Sequence, residues 1–289
     1  MPIGLIAALF TLLVTGIIFG FNHKTKRLFN SYTFYLVTST IALIYFIVFR
    51  WIWDLKDWID GNDNNYIGGL AVVKSKVLLL DMCPFLAVFM SIVLMIDRKR
   101  RFVPAIAFFA IVGAGITIFG QVILQKVGSD GDPNDQNWIP NTTWWEYIFF
   151  NKLYFIMHFY IFIMALIVIL NSVSFDKTRV LMAHGYAIAF FTYVIIMVFT
   201  LNIDRNATGI VENDWSAEKK GQYAILGEFF NLPWPWTPIV AFSLVWVWIL
   251  LMMLIRNTMV LDLNYIAKKQ IEITFLRNQF WNLYQKLKK

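Results

Sequence analysis

The stretch from Val77 to Leu124 decides the fold: it reads VLLLDMCPFLAVFMSIVLMI (77–96), DRKRR (97–101) and FVPAIAFFAIVGAGITIFGQVIL (102–124). Each apolar run is long enough to cross the hydrocarbon core of a bilayer, which takes about 20 residues. The short segment between the two runs is almost entirely basic, as loops on the cytoplasmic side of a membrane usually are. The pattern predicts two membrane-spanning helices joined by a tight cytoplasmic loop.

The composition of the whole chain also favours a membrane environment. Of its 289 residues, 59% are hydrophobic and 15% are charged, whereas soluble domains carry roughly 25% charged residues. The mean hydropathy is +0.61. Disordered and collagen-like chains are excluded by this composition. A disulfide scaffold is excluded because the one cysteine, Cys83, has no partner within the chain.

Apolar stretches of spanning length occur seven times, which predicts an all-α membrane protein with seven transmembrane helices. They cover about residues 2–21, 32–53, 77–96, 102–124, 148–170, 180–201 and 233–255. The loops on one side, together with the tail from Arg256, carry 16 of the 25 Lys and Arg residues. The alternate loops carry 13 of the 18 Asp and Glu residues. This distribution predicts a multi-pass protein of the cell membrane with its amino terminus outside and its carboxyl terminus in the cytoplasm.

The chain divides into a seven-helix transmembrane domain over residues 1–257 and a basic cytoplasmic tail over residues 258–289. In the tail, apolar residues recur at helical spacing and Lys and Arg residues surround them. We therefore expect an amphipathic helix that lies on the anionic inner leaflet. Such a tail is ordinary in membrane proteins, so we expect membrane lipids as partners and no nucleic acid. The oligomeric state is left open.

Three polar residues inside the predicted spans are candidates for chemistry: Asp81, Cys83 and His158. Counted from the start of its span, Cys83 lies roughly 9 Å deep and His158 roughly 15 Å deep, at 1.5 Å per residue. Span boundaries are accurate only to a few residues, so the thiol and the imidazole can share one level in the outer half of the membrane. A neighbouring imidazole converts a weakly nucleophilic thiol into a thiolate.

Two sequence neighbours bear on this site. Pro84 follows Cys83 directly, disfavours helical geometry there and leaves the carbonyl of Leu80 without its normal donor. Only a distorted turn at this point lets Asp81 and Cys83 serve one site, because they are 200° apart on a regular helix. Asn151 and Tyr154 share a helix face with His158 and can orient its ring. A structural interpretation stays open, in which Cys83 is a small packing residue, His158 is a hydrogen-bonding residue and neither takes part in catalysis.

Three motifs resemble the YwaF-like integral membrane proteins of bacteria, whose animal relatives include a cysteine-dependent transmembrane acyltransferase of ether phospholipids. They lie in the family's order and on the corresponding spans. These motifs are Leu78-Leu79-Leu80-Asp81-Met82-Cys83, Met157-His158-Phe159 after Phe149-Phe150, and Pro233-Trp234-Pro235-Trp236. Leu79 and Asp81 stand where the family has proline and histidine, and His158 lacks the family's serine and glycine neighbours.

The resemblance implies a membrane acyltransferase, or another lipid-modifying enzyme, with Cys83 as acyl acceptor and His158 as general base. Asp81 is a possible partner of His158. The side chains expected to contact substrate are Asn151, Tyr154, Asn202, Trp234 and Trp236. The alternative is a non-enzymatic protein, either a transporter component or a lipid- or small-molecule-binding module. It would use these same residues to line a cavity that opens to the outside. The sequence predicts no cofactor and no metal ion, because the possible ligands show no motif spacing.

Overall fold

The computed structural model describes residues 3–61, 69–124, 154–171, 176–204, 206, 208–216, 218 and 223–258. All regular secondary structure in these residues is helical, which confirms the predicted all-α class. The π-helical segment Ile47–Trp51 joins α2 to α3, and the 3₁₀ turn Glu212–Trp215 precedes α9. The α-helices are α1 (Ile3–Phe29), α2 (Tyr32–Phe46), α3 (Ile52–Ile59), α4 (Gly69–Val77), α5 (Met82–Ile96), α6 (Val103–Leu124), α7 (Tyr154–Asn171), α8 (Lys177–Thr200), α9 (Ala224–Phe230) and α10 (Trp236–Thr258).

Four helical stretches within the described residues are long and apolar enough to cross a membrane. They are Tyr32–Ile59, Leu70–Ile96, Lys177–Thr200 and Trp236–Arg256. Shorter apolar helices cover Ile6–Phe21, Val103–Phe119 and Phe155–Asn171. These helices are typical of a membrane protein. The predicted amphipathic tail lies outside the described residues, apart from Thr258.

Helix α6 is the centre of the bundle. It packs against α1, α5, α7, α8 and α10, and every side chain from Val103 to Ala110 is buried. Small residues line this helix, including Ala114 and the glycines at positions 113 and 115. Small side chains allow neighbouring helices to approach closely, which is how helices associate where no water drives them together.

A chain of hydroxyl groups connects three helices in the middle of the bundle. The Tyr160 hydroxyl on α7 lies 3.0 Å from Ser91 Oγ on α5 and donates to Ser39 Oγ on α2 over 3.4 Å. Both serines are fully buried. Each hydrogen bond of this kind contributes about 1 kcal/mol. The chain therefore holds α5 in a defined position between α2 and α7.

The basic segment 97–101 forms a well-anchored corner between α5 and α6. The Asp97 carboxylate accepts hydrogen bonds from the backbone N–H groups of Arg101, Phe102 and Val103, at 3.0, 2.7 and 3.1 Å. It thereby caps the first turn of α6. Arg100 donates to the side-chain and backbone oxygens of Asn30. The corner thus fixes where α6 starts relative to the end of α1.

Candidate functional site: a helix break under a polar cap

The predicted third span is not one continuous helix. The sequence indicated a single helix over 77–96 with a distortion at Cys83, but α4 ends at Val77 and α5 begins at Met82. Leu79 has a φ of 53°, in the left-handed region that glycine usually occupies. The N–H groups of Leu79 and Leu80 bond back to the carbonyls of Lys76 and Ser75, at 3.1 and 2.9 Å, which closes the end of α4.

We call residues 78–81 the helix break. Three carbonyls at this point accept a hydrogen bond from a side chain of a distant element. The donors are the Trp51 indole to Val77 (2.6 Å), the Tyr193 hydroxyl to Leu78 (2.6 Å) and the Thr208 hydroxyl to Leu80. The sequence predicted that Pro84 would leave the Leu80 carbonyl without a helical donor, and the structure supplies Thr208 in its place. Because each of these three carbonyls has a hydrogen-bond donor, the helix break is a stable part of the fold.

Six buried or nearly buried polar residues surround the break, and we call them the polar cap: Ser75, Lys76, Asp81, Asn206, Thr208 and Asp214. Lys76 Nζ forms an ion pair with Asp81, whose other carboxylate oxygen accepts from Ser75 Oγ at 3.1 Å. Asn206 Nδ2 donates to Ser75 Oγ at 2.8 Å, and Asn206 Oδ1 accepts from the backbone of Thr208 at 2.8 Å. The backbone N–H of Asn206 bonds to the Asp214 carboxylate. The cap thus ties the loop after α8 onto the break.

Two aromatic rings close the cap. Trp215 and Tyr223 pack with their ring centroids 4.9 Å apart, and the Trp215 indole donates to the Gly209 carbonyl at 2.9 Å. Gly209 has a φ of 75°, and a β-carbon at this position would lie 2.9 Å from the Tyr223 ring. Burial raises the pKa of Tyr223 above its usual range, and the carboxylates of Asp214 and Asp81 raise it further. The Tyr223 phenol therefore stays protonated and can act only as a neutral hydrogen-bonding group.

Cys83 lies in the first turn of α5, directly after the break. Its sulfur faces α6, where a β-carbon at Gly113 would approach it to 3.3 Å. Thr117 lies one turn further along α6 from Gly113 and is buried. Cys83 itself is partly exposed. The predicted sharing of one site by Asp81 and Cys83 stays a prediction, because the Asp81 carboxylate contacts Lys76 and Ser75 whereas the Cys83 sulfur adjoins Gly113.

The second half of the predicted catalytic pair is on α7. His158 is buried, at 3% exposure, and α7 packs directly against both α5 and α6. The described partners of Asp81 are Lys76 and Ser75, so an additional bond to His158 stays a prediction. The pairing of Cys83 with His158 likewise stays a prediction. Across the described ranges, no three His, Cys, Asp or Glu side chains come together as metal ligands.

The predicted substrate contacts belong to different segments of the chain. Asn151 lies outside the described residues, and Tyr154 is the first residue of α7. Asn202 is exposed and has a φ of 48°. Trp234 and Trp236 are 38% and 58% exposed at the start of α10. Their roles as substrate contacts stay predictions.

Sequence reasoning missed most of the polar cap and a second charged group in the π-helical segment and α3. The π-helical turn buries Arg50 to 8% exposure. Its Nε lies 3.2 Å from Asp54 Oδ2, and Asp57 is buried nearby on α3. The spacing of Arg50 and Asp54, one turn apart, was the available signal. No local signal pointed to the hydrogen bond between Thr208 and the Leu80 carbonyl.

We expect Thr208→Val to destabilise the protein by about 1–3 kcal/mol, because the buried Leu80 carbonyl would lose its donor. Thermal unfolding of the full chain in detergent measures this effect. Thr200→Val, at an exposed position on the last turn of α8, is the matched control. Equal midpoints for the two variants would show that the Thr208 hydroxyl does not hold the break.

The fold and the site define an all-helical membrane protein with a broken helix beneath a buried polar cap. The chain belongs to the family described as "Family of unknown function (DUF5378)", which matches residues 9–286. It is 30% identical over 258 residues to "Uncharacterized protein MG135" of Mycoplasma genitalium, covering 85% of this chain and 86% of the relative. It is 32% identical over 164 residues to "Uncharacterized protein MG135 homolog" of Mycoplasma pneumoniae, covering 55% of this chain and 52% of that protein. No solved structure matches the chain.

Proposed function

We propose that the chain is a seven-span protein of the cell membrane, with its amino terminus outside and its carboxyl terminus in the cytoplasm. Four long apolar helices and three shorter ones lie at the positions of the seven predicted spans. The excess of Lys and Arg in alternate loops supports the orientation. In this arrangement the polar cap lies at the outer side, and the tail over 258–289 lies as an amphipathic helix on the inner leaflet.

We further propose that the protein transfers acyl groups between membrane lipids, with Cys83 as the acyl carrier. The observation that carries this proposal is the position of Cys83. Its thiol is on the first turn of α5, next to the helix break. The sulfur adjoins α6 at Gly113, where the absence of a side chain leaves room for it. Broken helices inside membrane proteins commonly line sites where a substrate binds. The resemblance to cysteine-dependent lipid acyltransferases supports the same chemistry.

In this reaction, His158 takes the thiol proton and the Cys83 sulfur attacks the carbonyl carbon of a lipid ester. A carbon–sulfur bond forms, the ester carbon–oxygen bond breaks, and His158 returns the proton to the departing lipid alkoxide. A second lipid hydroxyl then gives its proton to His158 and attacks the thioester. The products are a new ester and the free thiol, so atoms and charge balance over the cycle.

Trapping of the acyl-enzyme tests this function, and the single cysteine makes the experiment specific. We expect the purified full chain, incubated in vesicles of isotope-labelled phosphatidylcholine, to gain one acyl mass that hydroxylamine removes at neutral pH. A lysophospholipid acceptor should discharge the adduct and become labelled. Cys83→Ser should abolish the hydroxylamine-sensitive adduct. An adduct that resists the acceptor would be a static lipid modification and would contradict acyl transfer.

A second candidate is a non-enzymatic role in transport or in binding a small polar molecule. The buried ion pairs Arg50–Asp54 and Lys76–Asp81 favour it, because charges inside a membrane protein often mark a polar pathway. Uptake of a labelled solute into vesicles without any acyl adduct on Cys83 would favour transport.

A further inference from the structure

The corner between α5 and α6, which we call the basic corner (residues 97–101), carries more positive charge than its own contacts neutralise. Its four bases and one acid give it a net charge of +3. Both carboxylate oxygens of Asp97 accept hydrogen bonds from backbone N–H groups around the start of α6. The salt bridges within the described part of the chain lie elsewhere, on α4 and along the π-helical segment and α3. The positive charge is therefore available to an anion from outside the protein.

An aromatic ring of another helix fixes the position of Arg98. The guanidinium carbon lies 4.9 Å from the centroid of the Tyr32 ring at the start of α2. The Tyr32 hydroxyl in turn donates to the Met95 carbonyl at 2.7 Å, which ties the ring to the end of α5. Contact with a ring face leaves N–H donors at the guanidinium edge available for a phosphate, which arginine can bind with two parallel bonds. Arg98 is exposed, so these donors are accessible.

Arg100 brings a second guanidinium group to the same place. Its two terminal nitrogens donate to the side-chain and backbone oxygens of Asn30, at 2.8 and 3.1 Å. Asn30 is two residues before Tyr32, so both guanidinium groups of the basic corner lie on the short connection between α1 and α2. Lys99 and Arg101, their neighbours in the turn, are exposed. The basic corner thus gathers four cations over one short stretch of backbone.

Exposed apolar side chains adjoin these cations. Ile96 is the last residue of α5, directly before the basic corner, and is 71% exposed. Leu28, on the last turn of α1, is 52% exposed, and its neighbour Arg27 is another exposed base. A soluble anion would leave these apolar groups in water. A phospholipid covers them with its acyl chains while its phosphate meets the bases.

We infer that the basic corner binds the headgroup phosphate of an anionic phospholipid, of which phosphatidylglycerol is a simple example. A zwitterionic lipid carries the same phosphate, but its amine adds a positive charge that the bases repel. The basic corner lies at the opposite end of α5 from Cys83. The inference therefore requires that the bundle lies in a membrane and does not depend on acyl transfer. A lipid bound here would hold the end of α1 and the start of α2 against the basic corner.

Titration of the full chain with short-chain lipids in a nonionic detergent tests this site, with the thermal unfolding midpoint as the readout. A ligand that binds the folded protein raises the midpoint according to its affinity and concentration. We expect dioctanoyl phosphatidylglycerol to raise it, and dioctanoyl phosphatidylcholine to leave it nearly unchanged. Glycerophosphoglycerol, the same headgroup without acyl chains, should also leave it unchanged. Cys83→Ser protein is used throughout, so acyl transfer from the lipids cannot contribute.

Two double variants of equal charge locate the site. Arg98→Gln with Arg101→Gln should need about 10–30-fold more phosphatidylglycerol for the half-maximal effect, because each base near an anionic surface strengthens binding about fivefold. Lys56→Gln with Lys177→Gln removes as many charges from exposed positions on α3 and at the start of α8. This control should shift the half-maximal concentration by less than about twofold, because salt screens distant charges.

Equal half-maximal concentrations for the two double variants would place the lipid elsewhere and overturn the inference. An equal rise with phosphatidylcholine would show that acyl chains alone bind, and an equal rise with glycerophosphoglycerol would show a site for free anions; either result also overturns it. If the corner variant does not fold, the intact corner carries the test. Salt at about 1 M, which screens charges beyond about 3 Å, should weaken phosphatidylglycerol binding by about 10-fold or more, and an unchanged affinity would contradict the inference. None of these results bears on the acyl adduct at Cys83.

Discussion

Replacing Asp81 with asparagine should lower the free energy of unfolding by about 3–5 kcal/mol, the usual cost of removing one partner of a buried ion pair. The Asp81 side chain is 4% exposed and that of Lys76 is 15% exposed, so water cannot replace the lost carboxylate. Asparagine preserves the shape and the acceptor for Ser75. The loss therefore reports on the uncompensated charge of Lys76. Thermal unfolding in detergent, at several denaturant concentrations, measures it.

Two further variants make the interpretation of this experiment specific. Asp204→Asn removes an exposed carboxylate from the segment that enters the polar cap and should change stability by less than about 0.5 kcal/mol. Lys76→Gln combined with Asp81→Asn removes both charges. This double variant should recover much of the lost stability, because a neutral pair carries no unpaired charge. If Asp81→Asn behaves like Asp204→Asn, the ion pair does not stabilise the cap.

The class of the fold could be predicted because it depends on one dominant force. Apolar runs of spanning length, together with few charges, leave a helical membrane protein as the consistent solution, since a bilayer requires every backbone group to bond within its own segment. The same reasoning located apolar helices near all the expected positions. It could not predict the π-helical turn at Ile47–Trp51, which depends on burying Arg50 beside Asp54 rather than on hydropathy.

The helix break shows where local reasoning stops. Pro84 indicated a distortion, but the break lies upstream, at a leucine in the left-handed conformation. Its carbonyls depend on Trp51, Tyr193 and Thr208, which are 26, 115 and 128 residues away from their acceptors in sequence. A pattern within one segment carries no information about such donors. For the same reason, Asn202 was expected at the site, whereas the buried asparagine of that loop is Asn206.

The candidate site combines predictable and unpredictable parts. Cys83 and His158 stood out from sequence because thiols and imidazoles are rare within apolar spans. Thr208 did not stand out, because a threonine in a loop is ordinary and only its hydrogen bond to the Leu80 carbonyl distinguishes it. Chemistry that depends on a residue type can thus be predicted from sequence. Chemistry that depends on what surrounds a common residue type requires the structure.

Replacing His158 with alanine should slow acylation of Cys83 by about 10²–10⁴-fold, the contribution of a positioned general base. The rate of p-nitrophenolate release from p-nitrophenyl octanoate measures this loss. His158 is buried, so the variant also leaves a cavity on the path that we propose for the proton. Added imidazole should occupy that cavity and restore part of the rate. The restored rate should increase with pH as the added imidazole loses its proton around neutral pH.

His184→Ala is the matched control, because this histidine bonds to the Val180 carbonyl at 2.8 Å within α8 and packs against Trp246. It should leave acylation unchanged and show no response to imidazole. A structural role for His158 would lower stability and acylation together, and imidazole would not restore the rate. Unchanged acylation in a stable His158→Ala variant would remove the histidine from the mechanism. Cys83 would then need another base, and the buried groups nearest to it on α6 and in the polar cap would be the residues to replace next.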